Sequence, residues 1–464
     1  MKNTPISRSC SRESRDFSGE GVCMKNAYEK PKMSARARLM MARRERLLGP
    51  NNPTFYDDPV HFVRGEGVWL FDADGRRYLD AYNNVPHVGH CHPHVVEAIS
   101  RQAGLLNTHS RYLHDNVLDY AERLTATFHR SLSTVLLTCT GSEANDVALR
   151  MARAITGKHG VIVTDFTYHG NTSAVMELAT LIPREDGFST HLRTIPAPDS
   201  YHLEPGEKDE TDMAARVLAH LDAAISSLEE AGHGVSAIML CPIFANEGFP
   251  DLPPGFLDRV AKRVRKAGGV VIADEVQPGF GRTGAAMWGH QYSGFTPDIV
   301  TMGKPMGNGH PIGGVVTTHD IMHAFRTKNV YFNTFGSNPV SCAAGLAVLD
   351  VIENESLIEN AAEVGAYAKE RLEKMAEKFG FFGDVRGAGL FFGAEIVHPG
   401  EQITADKKLA KRAVNLMREN GVVMGLLGRK ENLFKIRPPM PFSKANADHL
   451  FEVMDHVLSR LLRQ

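Results

Sequence analysis

Asp274 and Lys304 each stand at the end of an apolar run, and side chains of these two types can hold a cofactor between them. Asp274 ends Val270-Val-Ile-Ala-Asp274, and Lys304 follows Ile299-Val-Thr-Met302 within the glycine-rich segment 303–309. In open α/β sheets, ligands bind outside the carboxyl ends of the strands. Two ordinary alternatives stand beside this interpretation. Asp274 can cap the following loop, and Lys304 can be a solvated loop lysine.

The pair Asp274 and Lys304 matches the needs of pyridoxal phosphate (PLP). Partial burial lowers the pKa of a lysine amine, and such an amine can form a Schiff base with a carbonyl group. PLP requires a lysine on its aldehyde and an acid on its ring nitrogen. Gln277, three residues after Asp274, is then placed to bond the phenolic oxygen. The sequence therefore predicts PLP as the cofactor.

A phosphate site is predicted where Thr138-Cys-Thr140-Gly141-Ser142-Glu143 ends one strand and opens a helix. Backbone N–H groups at a helix N-terminus, with a glycine and hydroxyl groups, suit an anion. An ordinary capping box is the alternative, since Thr140-x-x-Glu143 fits that pattern. The two interpretations are compatible, so we predict that Gly141 and Ser142 bind the cofactor.

An aromatic residue follows the next predicted strand, in Tyr168-His169-Gly170. Aromatic rings pack well against flat ring systems. We therefore add Tyr168 and His169 to the predicted cofactor-binding residues.

Two other motifs are weaker. His87, His90, His92 and His94 resemble a metal cluster, but they flank Gly and Pro without a carboxylate or helical spacing, so no metal is predicted. Gly279-Phe-Gly281-Arg-Thr-Gly284 matches a dinucleotide fingerprint. No clear helix and no acidic residue follow at the required spacing, so a nicotinamide-dependent dehydrogenase is a remote alternative.

Composition indicates an ordinary globular protein. The chain has 464 residues, 43% hydrophobic and 23% charged, with a formal net charge of −2. This balance gives no argument for nucleic acid or an anionic membrane as partner, and no apolar run is long enough to span a bilayer. The six cysteines are scattered, which favours reduced thiols and a cytoplasmic location.

The alternation of apolar runs with helical stretches predicts an α/β fold with a mostly parallel sheet covered on both faces. We expect a disordered tail over 1–33, a large cofactor-binding domain over 85–338, and a smaller α+β domain built from 34–84 and 339–464. Short strands are expected in the last segment near 391–396, 422–425 and 433–437.

These motifs, in this order, resemble the class III aminotransferases of fold type I, over about residues 50–460. The resemblance rests on Gly89-His-Cys-His-Pro93, Thr140-Gly-Ser-Glu-Ala-Asn145, Tyr168-His-Gly170, Asp274-Glu-Val-Gln277, Lys304 and Asn333-Thr-Phe-Gly-Ser-Asn-Pro339. It implies a seven-stranded sheet and a homodimer with shared active sites. It also implies that Gly141 and Ser142 hold the PLP phosphate, that Tyr168 stacks on the ring, and that Thr334 reaches the phosphate of the partner subunit's cofactor.

One branch of that family, the phospho-lyases, looks more similar than the rest. Typical class III transaminases carry Glu-Pro-x-x-Gly-Glu before the strand of Asp274, and its last glutamate masks an arginine. Here the stretch reads Cys241-Pro-Ile-Phe-Ala-Asn246. Glu247, one residue late, is a possible substitute after a loop shift. Without a mask, Arg437 would be an open site for a phosphate, phosphonate or carboxylate.

The resemblance implies a reaction in which Lys304 removes a proton from the carbon beside the substrate nitrogen. A leaving group on the next carbon then departs, and water hydrolyses the resulting enamine to aldehyde and ammonia. We expect this lyase outcome on an amine similar to O-phosphoethanolamine, with Arg437 and Arg111 binding the anionic end. The alternative for Arg111 is a surface or interface ion pair. The rival function is an ω-aminotransferase that moves the amino group to pyruvate or 2-oxoglutarate.

Overall fold

The computed structural model describes residues 33–182 and 187–462. The predicted tail, 1–33, lies outside the described residues except for Met33. The described residues form fifteen strands and thirteen helices. The strands are β1 Phe62–Glu66, β2 Trp69–Asp72, β3 Arg77–Asp80, β4 Thr134–Thr138, β5 Gly160–Thr164, β6 Leu192–Ile195, β7 Val235–Leu240, β8 Val270–Asp274, β9 Ile299–Met302, β10 Gly313–Thr317, β11 Phe382–Ala388, β12 Phe391–Ile396, β13 Val422–Val423, β14 Gly425–Leu427 and β15 Leu433–Lys435.

The helices surround these strands, and no described helix is both long and apolar enough to cross a membrane. They are α1 Ala35–Leu48, α2 Pro93–Leu105, α3 Asp115–Thr125, α4 Gly141–Thr156, α5 Ser173–Met176, α6 Glu210–Glu230, α7 Phe256–Lys266, α8 Gly289–Tyr292, α9 His319–Lys328, α10 Pro339–Asn354, α11 Leu357–Lys378, α12 Lys407–Glu419 and α13 Lys444–Leu462.

A seven-stranded sheet forms the centre of the molecule, in the order β4-β10-β9-β8-β7-β5-β6. Every pairing is parallel except the two made by β10, which runs antiparallel to both β4 and β9. The predicted fold class is therefore confirmed. β-branched residues fill the central strands, and β5, β7, β8 and β9 are buried at every position, as expected for strands covered on both faces.

Successive side chains of a strand point to opposite faces, and two core clusters result. Val270 and Ile272 of β8 pack in a cluster with α4 and α9. Val271 and Ala273 pack in the larger cluster, which also contains α6, α7 and α10. The sheet thus lies between two helical layers, which cover its faces and leave the ends of its strands accessible.

Two smaller sheets complete the fold, in the orders β1-β2-β3-β13 and β11-β12-β15-β14. The first joins N-terminal strands to a C-terminal one, since β13 pairs with β3. The large sheet uses only strands from within 85–338, and the smaller sheets use only strands from outside that range. On this basis we propose domain boundaries near residues 84 and 338.

The fold differs in detail from the predicted strands. The segment 422–425 is two strands, because β13 pairs with β3 whereas β14 pairs with β15. Strands β1, β6 and β11 were not predicted, and β1 has no fully buried residue. β6 lies at the sheet edge and has only two buried residues, and β11 is mostly half-buried and interrupted by a register shift. None of the three shows the apolar run that marks the central strands.

Candidate active site

A cavity of about 280 Å³ opens at the carboxyl ends of the central parallel strands. It brings together seven of the ten predicted site residues. They are Gly141, Ser142, Tyr168, His169, Asp274, Gln277 and Lys304. The cavity is near the lower limit of small-molecule sites, and its position follows the rule for open α/β sheets.

Asp274 ends β8 and is held in place by three hydrogen bonds. Its Oδ2 atom lies 2.6 Å from Nδ1 of His169 and accepts from the side-chain amide of Asn145 at 3.1 Å. Its Oδ1 atom accepts from the backbone N–H of Val276 at 3.0 Å. Burial raises the pKa of Asp274, but the hydrogen bond and charge of His169, together with the Val276 N–H and the charge of Lys304, outweigh it, so the pKa lies below its ordinary value. The carboxyl group is therefore poised to stay ionised.

Asn145 belongs to this network, although we predicted no role for it. It is fully buried on α4, and its amide donates to His169 O at 2.6 Å as well as to Asp274. Its Oδ1 atom accepts from the Thr301 hydroxyl at 2.6 Å. A polar residue amid the apolar positions of α4 was the available signal, because a buried amide needs partners.

Lys304 projects into the cavity from the loop that follows β9. The loop lies against the start of α4, where a Cβ on Gly303 would stand only 3.0 Å from the Gly141 Cα and N atoms. Lys304 lines the cavity and has an exposed side chain, although many protein atoms lie around its amine. Burial lowers the pKa of its amine, and the charge of Arg437 lowers it further. This favours the neutral amine, the form that acts as nucleophile or base.

The start of α4 combines a cap with a potential anion site. The Thr140 hydroxyl accepts from Glu143 N at 3.1 Å, while the Glu143 carboxylate accepts from Cys139 N at 2.7 Å. This cap leaves the first N–H groups of the helix, at Gly141 and Ser142, without intrahelical acceptors. The capping and anion interpretations are therefore compatible here.

Gly170 holds the next loop against that helix start. Its φ is +141°, and a Cβ there would stand 2.6 Å from the Ser142 hydroxyl and 2.9 Å from the Ser142 Cα. The same hydroxyl accepts from Asn171 N at 3.2 Å. Tyr168, 37% exposed, lines the cavity beside them. Only glycine permits this close approach.

Gln277 connects the cavity to two buried cations. Its Oε1 atom accepts from Arg437 Nη1 at 2.5 Å and from Lys435 Nζ at 3.2 Å. Its Nε2 atom donates to Asn246 Oδ1 at 3.0 Å. Burial lowers the pKa of Arg437 to about 10, which still leaves it charged at neutral pH.

Glu247 does not take the place of the missing glutamate. Its carboxylate accepts from the Thr164 hydroxyl at 2.5 Å and from Asn246 N at 3.1 Å. Burial raises its pKa. Within residues 33–182 and 187–462, Arg437 forms no ion pair, and its guanidinium bonds Gln277 and the Tyr82 carbonyl oxygen. The possible substitution by Glu247 is thus wrong in this structure.

Arg111 and Thr334 lie outside the cavity of their own chain. Both are exposed, and the Arg111 guanidinium carbon lies 4.0 Å from the centroid of the Phe332 ring. Arg437, the tenth predicted residue, is buried behind Gln277. Of the ten site residues predicted from the sequence, the cavity of a single chain therefore contains only seven.

The four histidines of the metal-like motif contact four separate partners. His87 Nε2 lies 2.7 Å from Phe280 O, and His90 Nε2 lies 2.7 Å from the Asp80 carboxylate. His92 contacts the carboxylate of Glu355, and His94 contacts the carboxylate of Asp350. No group of metal-ligand residues is present in the described part of the chain.

The glycines of the fingerprint-like motif serve packing. A Cβ on Gly281 would stand 2.5 Å from Ile358, and one on Gly284 would stand 2.5 Å from the Ala362 backbone. Both partners lie on α11. These glycines therefore let the chain approach a helix, and this accounts for the motif without a dinucleotide.

The donor set of the cavity fits PLP. A buried carboxylate, an amine with a lowered pKa and the free N–H groups of a helix start all face one small space. The carboxylate suits a pyridinium nitrogen, the amine suits an aldehyde, and the N–H groups suit a phosphate.

Comparison with known proteins agrees with this chemistry. Residues 54–458 match the aminotransferase class-III family. The chain belongs to the class-III aminotransferases, and it is a PLP-dependent enzyme of the lyase or transaminase type. The predicted family is thus confirmed.

Three relatives illustrate the range of the family. A phospholyase from Arthrobacter, solved in complex with phosphoethanolamine, is 47% identical with a TM-score of 0.88, over 90% of this chain and 99% of that one. Alanine–glyoxylate aminotransferase 2 homolog 2, mitochondrial, from Arabidopsis thaliana is 39% identical over 92% of this chain and 88% of its own length. Ethanolamine-phosphate phospho-lyase homolog 1 from Caenorhabditis elegans is 36% identical over 91% and 94%.

Proposed function

We propose that this enzyme is a lyase that eliminates a group from a phosphorylated or phosphonylated primary amine, giving an aldehyde and ammonia. The observation that carries the proposal is the environment of Arg437. This buried guanidinium bonds the neutral amide oxygen of Gln277. An enzyme that alternates between two substrates would instead need a carboxylate here to mask the arginine. A lyase has one amine substrate and needs no such mask.

The residues of the cavity then divide the work. When bound, PLP supplies an electron sink for the charge left by the broken C–H bond. Lys304 holds the cofactor and afterwards accepts the proton at its Nζ atom. Asp274, held ionised by His169, pairs with the ring nitrogen, while Gly141 and Ser142 bind the phosphate.

Three further roles complete the proposal. Tyr168 covers one face of the cofactor ring, and Gln277 bonds its phenolic oxygen. Arg437 binds the anionic end of the substrate, as a guanidinium can with two parallel hydrogen bonds. The phosphoethanolamine bound by the Arthrobacter phospholyase supports this substrate class.

An ω-aminotransferase remains the second candidate, because the Arabidopsis relative carries an aminotransferase name. The two functions share the same first proton transfer and differ in the fate of the carbanion that it leaves. Incubation with O-phosphoethanolamine in the absence of any keto acid separates them. We expect release of ammonia and phosphate in equal amounts. A strict requirement for pyruvate or 2-oxoglutarate would overturn the lyase proposal. A hydroxylated aminoethylphosphonate should be tested in parallel.

We also propose that the enzyme is a homodimer. Large apolar side chains are exposed over two segments that touch where the His109 ring contacts the Phe332 ring. They are Leu105, Leu106, Tyr112, Leu113, Val330, Phe332 and Phe335. An exposed patch of this kind marks a protein–protein contact. It contains Arg111, predicted to bind the substrate or to form a surface or interface ion pair, and it adjoins Thr334, predicted to reach the partner subunit's cofactor.

Light scattering tests the dimer directly. Leu113 is 97% exposed, so Leu113→Glu is tolerated by the monomer fold but places charges in the interface. We expect a halved mass for this variant, whereas Ile403→Glu, on an exposed site elsewhere, keeps the dimer mass. A monomeric wild-type protein would contradict the proposal.

We propose a cytoplasmic location, since the described cysteines, Cys91, Cys139, Cys241 and Cys342, are all free thiols. The mitochondrial name of the Arabidopsis relative makes organelle import the alternative. Cell fractionation distinguishes the two.

A further inference from the structure

Lys435 is a second buried cation beside Arg437. The two residues are separated by one position at the end of β15, so the alternation of a strand places them on the same side. Phe434 and Ile436, on the other side, pack into the main core. Lys435 is 5% exposed and Arg437 is 4% exposed. The chain therefore directs two cations together toward Gln277.

These two cations share one neutral acceptor. The Gln277 Oε1 atom receives hydrogen bonds from both Lys435 Nζ and Arg437 Nη1. Within the described residues, Lys435 has no carboxylate partner in an ion pair. Its other close neighbours are the rings of Tyr82 and Phe391, with centroids 6.0 and 5.5 Å from Nζ. Lysines are almost never buried without a counter-charge, and this one lacks its counter-charge.

The arrangement is costly unless an anion completes it. A buried charge is tolerated when it is paired and hydrogen-bonded, and one amide oxygen cannot satisfy an ammonium and a guanidinium. Burial and the neighbouring Arg437 lower the pKa of Lys435 well below its ordinary value, as expected for a cation without a counter-charge. Gln277 itself lines the cavity, so an anion that replaces its oxygen can approach from the active site.

We propose that Lys435 is a second ligand of the substrate's phosphoryl or phosphonyl group and selects a dianion over a carboxylate. Three non-bridging oxygens and up to two negative charges can engage both cations, whereas a carboxylate offers two oxygens and one charge. The proposal rests on the proposed function and names the residue that would make it specific. Lys435 thus acts in binding, and Lys304 remains the base.

Binding of an unreactive anion tests this independently of turnover. Ethylphosphonate and propionate have no amine, and each can be titrated into the holoenzyme by calorimetry. A charge-assisted hydrogen bond contributes about 1.5–3 kcal/mol, so we expect Lys435→Met to weaken ethylphosphonate binding by about tenfold or more. Propionate binding should change much less, and Lys435→Arg should recover most of the lost affinity.

Controls keep the test decisive. The visible absorbance of the cofactor imine shows whether each variant holds PLP, and Lys435→Gln is the second variant if the methionine variant loses it. Lys408→Met, on the exposed side of α12, should bind both anions as the wild type does. The proposal is overturned if Lys435→Met and Lys435→Gln bind ethylphosphonate with the wild-type dissociation constant. It is also overturned if their affinity for ethylphosphonate falls no more than their affinity for propionate.

The two proposals fail separately. If ethylphosphonate binding depends on Lys435 but O-phosphoethanolamine releases no ammonia, the anion site stands and the lyase function falls. If ammonia and phosphate are released while Lys435→Met binds ethylphosphonate normally, the lyase function stands and the role of Lys435 falls.

Discussion

The Nδ1 atom of His169 lies 2.6 Å from the Oδ2 atom of Asp274, and both side chains are buried. A carboxylate can only accept at this distance, so His169 donates through Nδ1. Thr167 lies 3.1 Å from the other ring nitrogen. Among the groups that keep this buried carboxyl group ionised, His169 therefore makes the largest contribution.

Replacement of His169 by leucine should raise the pKa of Asp274, because burial then acts without its main opponent. Activity should fall by about a hundredfold near neutral pH, since one such donor contributes on the order of 2–3 kcal/mol. The acid limb of the kcat/KM profile should move to higher pH. His169→Asn keeps an N–H donor near the Nδ1 position and should retain most of the activity. Equal losses in both variants would show a purely steric role.

Lys304→Ala should abolish both the visible absorbance of the cofactor imine and the reaction. A positioned base contributes about 10²–10⁴-fold, so residual turnover should be at least a hundredfold below the wild type. Lys408→Ala serves as the matched control for a lysine outside the cavity. An imine band that survives in Lys304→Ala would assign the Schiff base to another amine, and Lys435 would be the first to examine.

A carboxylate at position 246 should recreate the mask. Asn246 Oδ1 lies 3.0 Å from Gln277 Nε2. The other end of the same amide contacts Arg437 and Lys435. Asn246→Glu should therefore raise the KM for O-phosphoethanolamine by about tenfold, because the new carboxylate competes for the cations. Asn246→Gln has similar length without charge and should change the KM far less. Steady-state ammonia release measures both, and similar KM values in the two variants would argue against an open anion site.

Lys435→Met should stabilise the protein by on the order of 1 kcal/mol at neutral pH, because burial disfavours the charged lysine and the wild-type fold must either bury that charge or release its proton. The sign of the pH dependence follows from the lowered pKa of Lys435. Between its folded and unfolded pKa values the unfolded chain binds the extra proton, so wild-type stability rises with pH in that window.

The advantage of Lys435→Met should therefore shrink from pH 7 toward pH 10, as the wild type recovers. Melting temperatures of the two holoenzymes at both pH values measure this difference. Lys408→Met provides the exposed control. A methionine variant that melts below the wild type at pH 7 would mean that Lys435 is already satisfied in the substrate-free enzyme.

Local pattern was enough to locate Asp274 and Lys304. Each follows a short apolar run, and the carboxyl ends of parallel strands share one edge of a sheet. The helix start at Gly141 was visible for the same reason. Strands β8 and β9 have the predicted limits, because buried β-branched runs bounded by polar residues leave little ambiguity.

Contacts between distant segments could not be predicted from the sequence. Gln277 meets Lys435 and Arg437 across 158 and 160 positions, and no spacing rule connects them. Asn145 meets Thr301 in the same way. The Lys-x-Arg spacing at a strand end was a signal for Lys435. The sequence does not show that this lysine is buried, so the spacing alone could not distinguish it from a solvated lysine.

The antiparallel strand β10 has a consequence for how the protein matures. Strands β9 and β10 enclose the Lys304 loop and are close in sequence, and β10 also pairs with β4, synthesised much earlier. The residues of one chain that are proposed to hold PLP all precede Thr317, whereas Lys435 and Arg437 follow it in the sequence. Domains fold largely as they are synthesised. The residues proposed to form the cofactor pocket are thus synthesised before the residues proposed to choose a substrate.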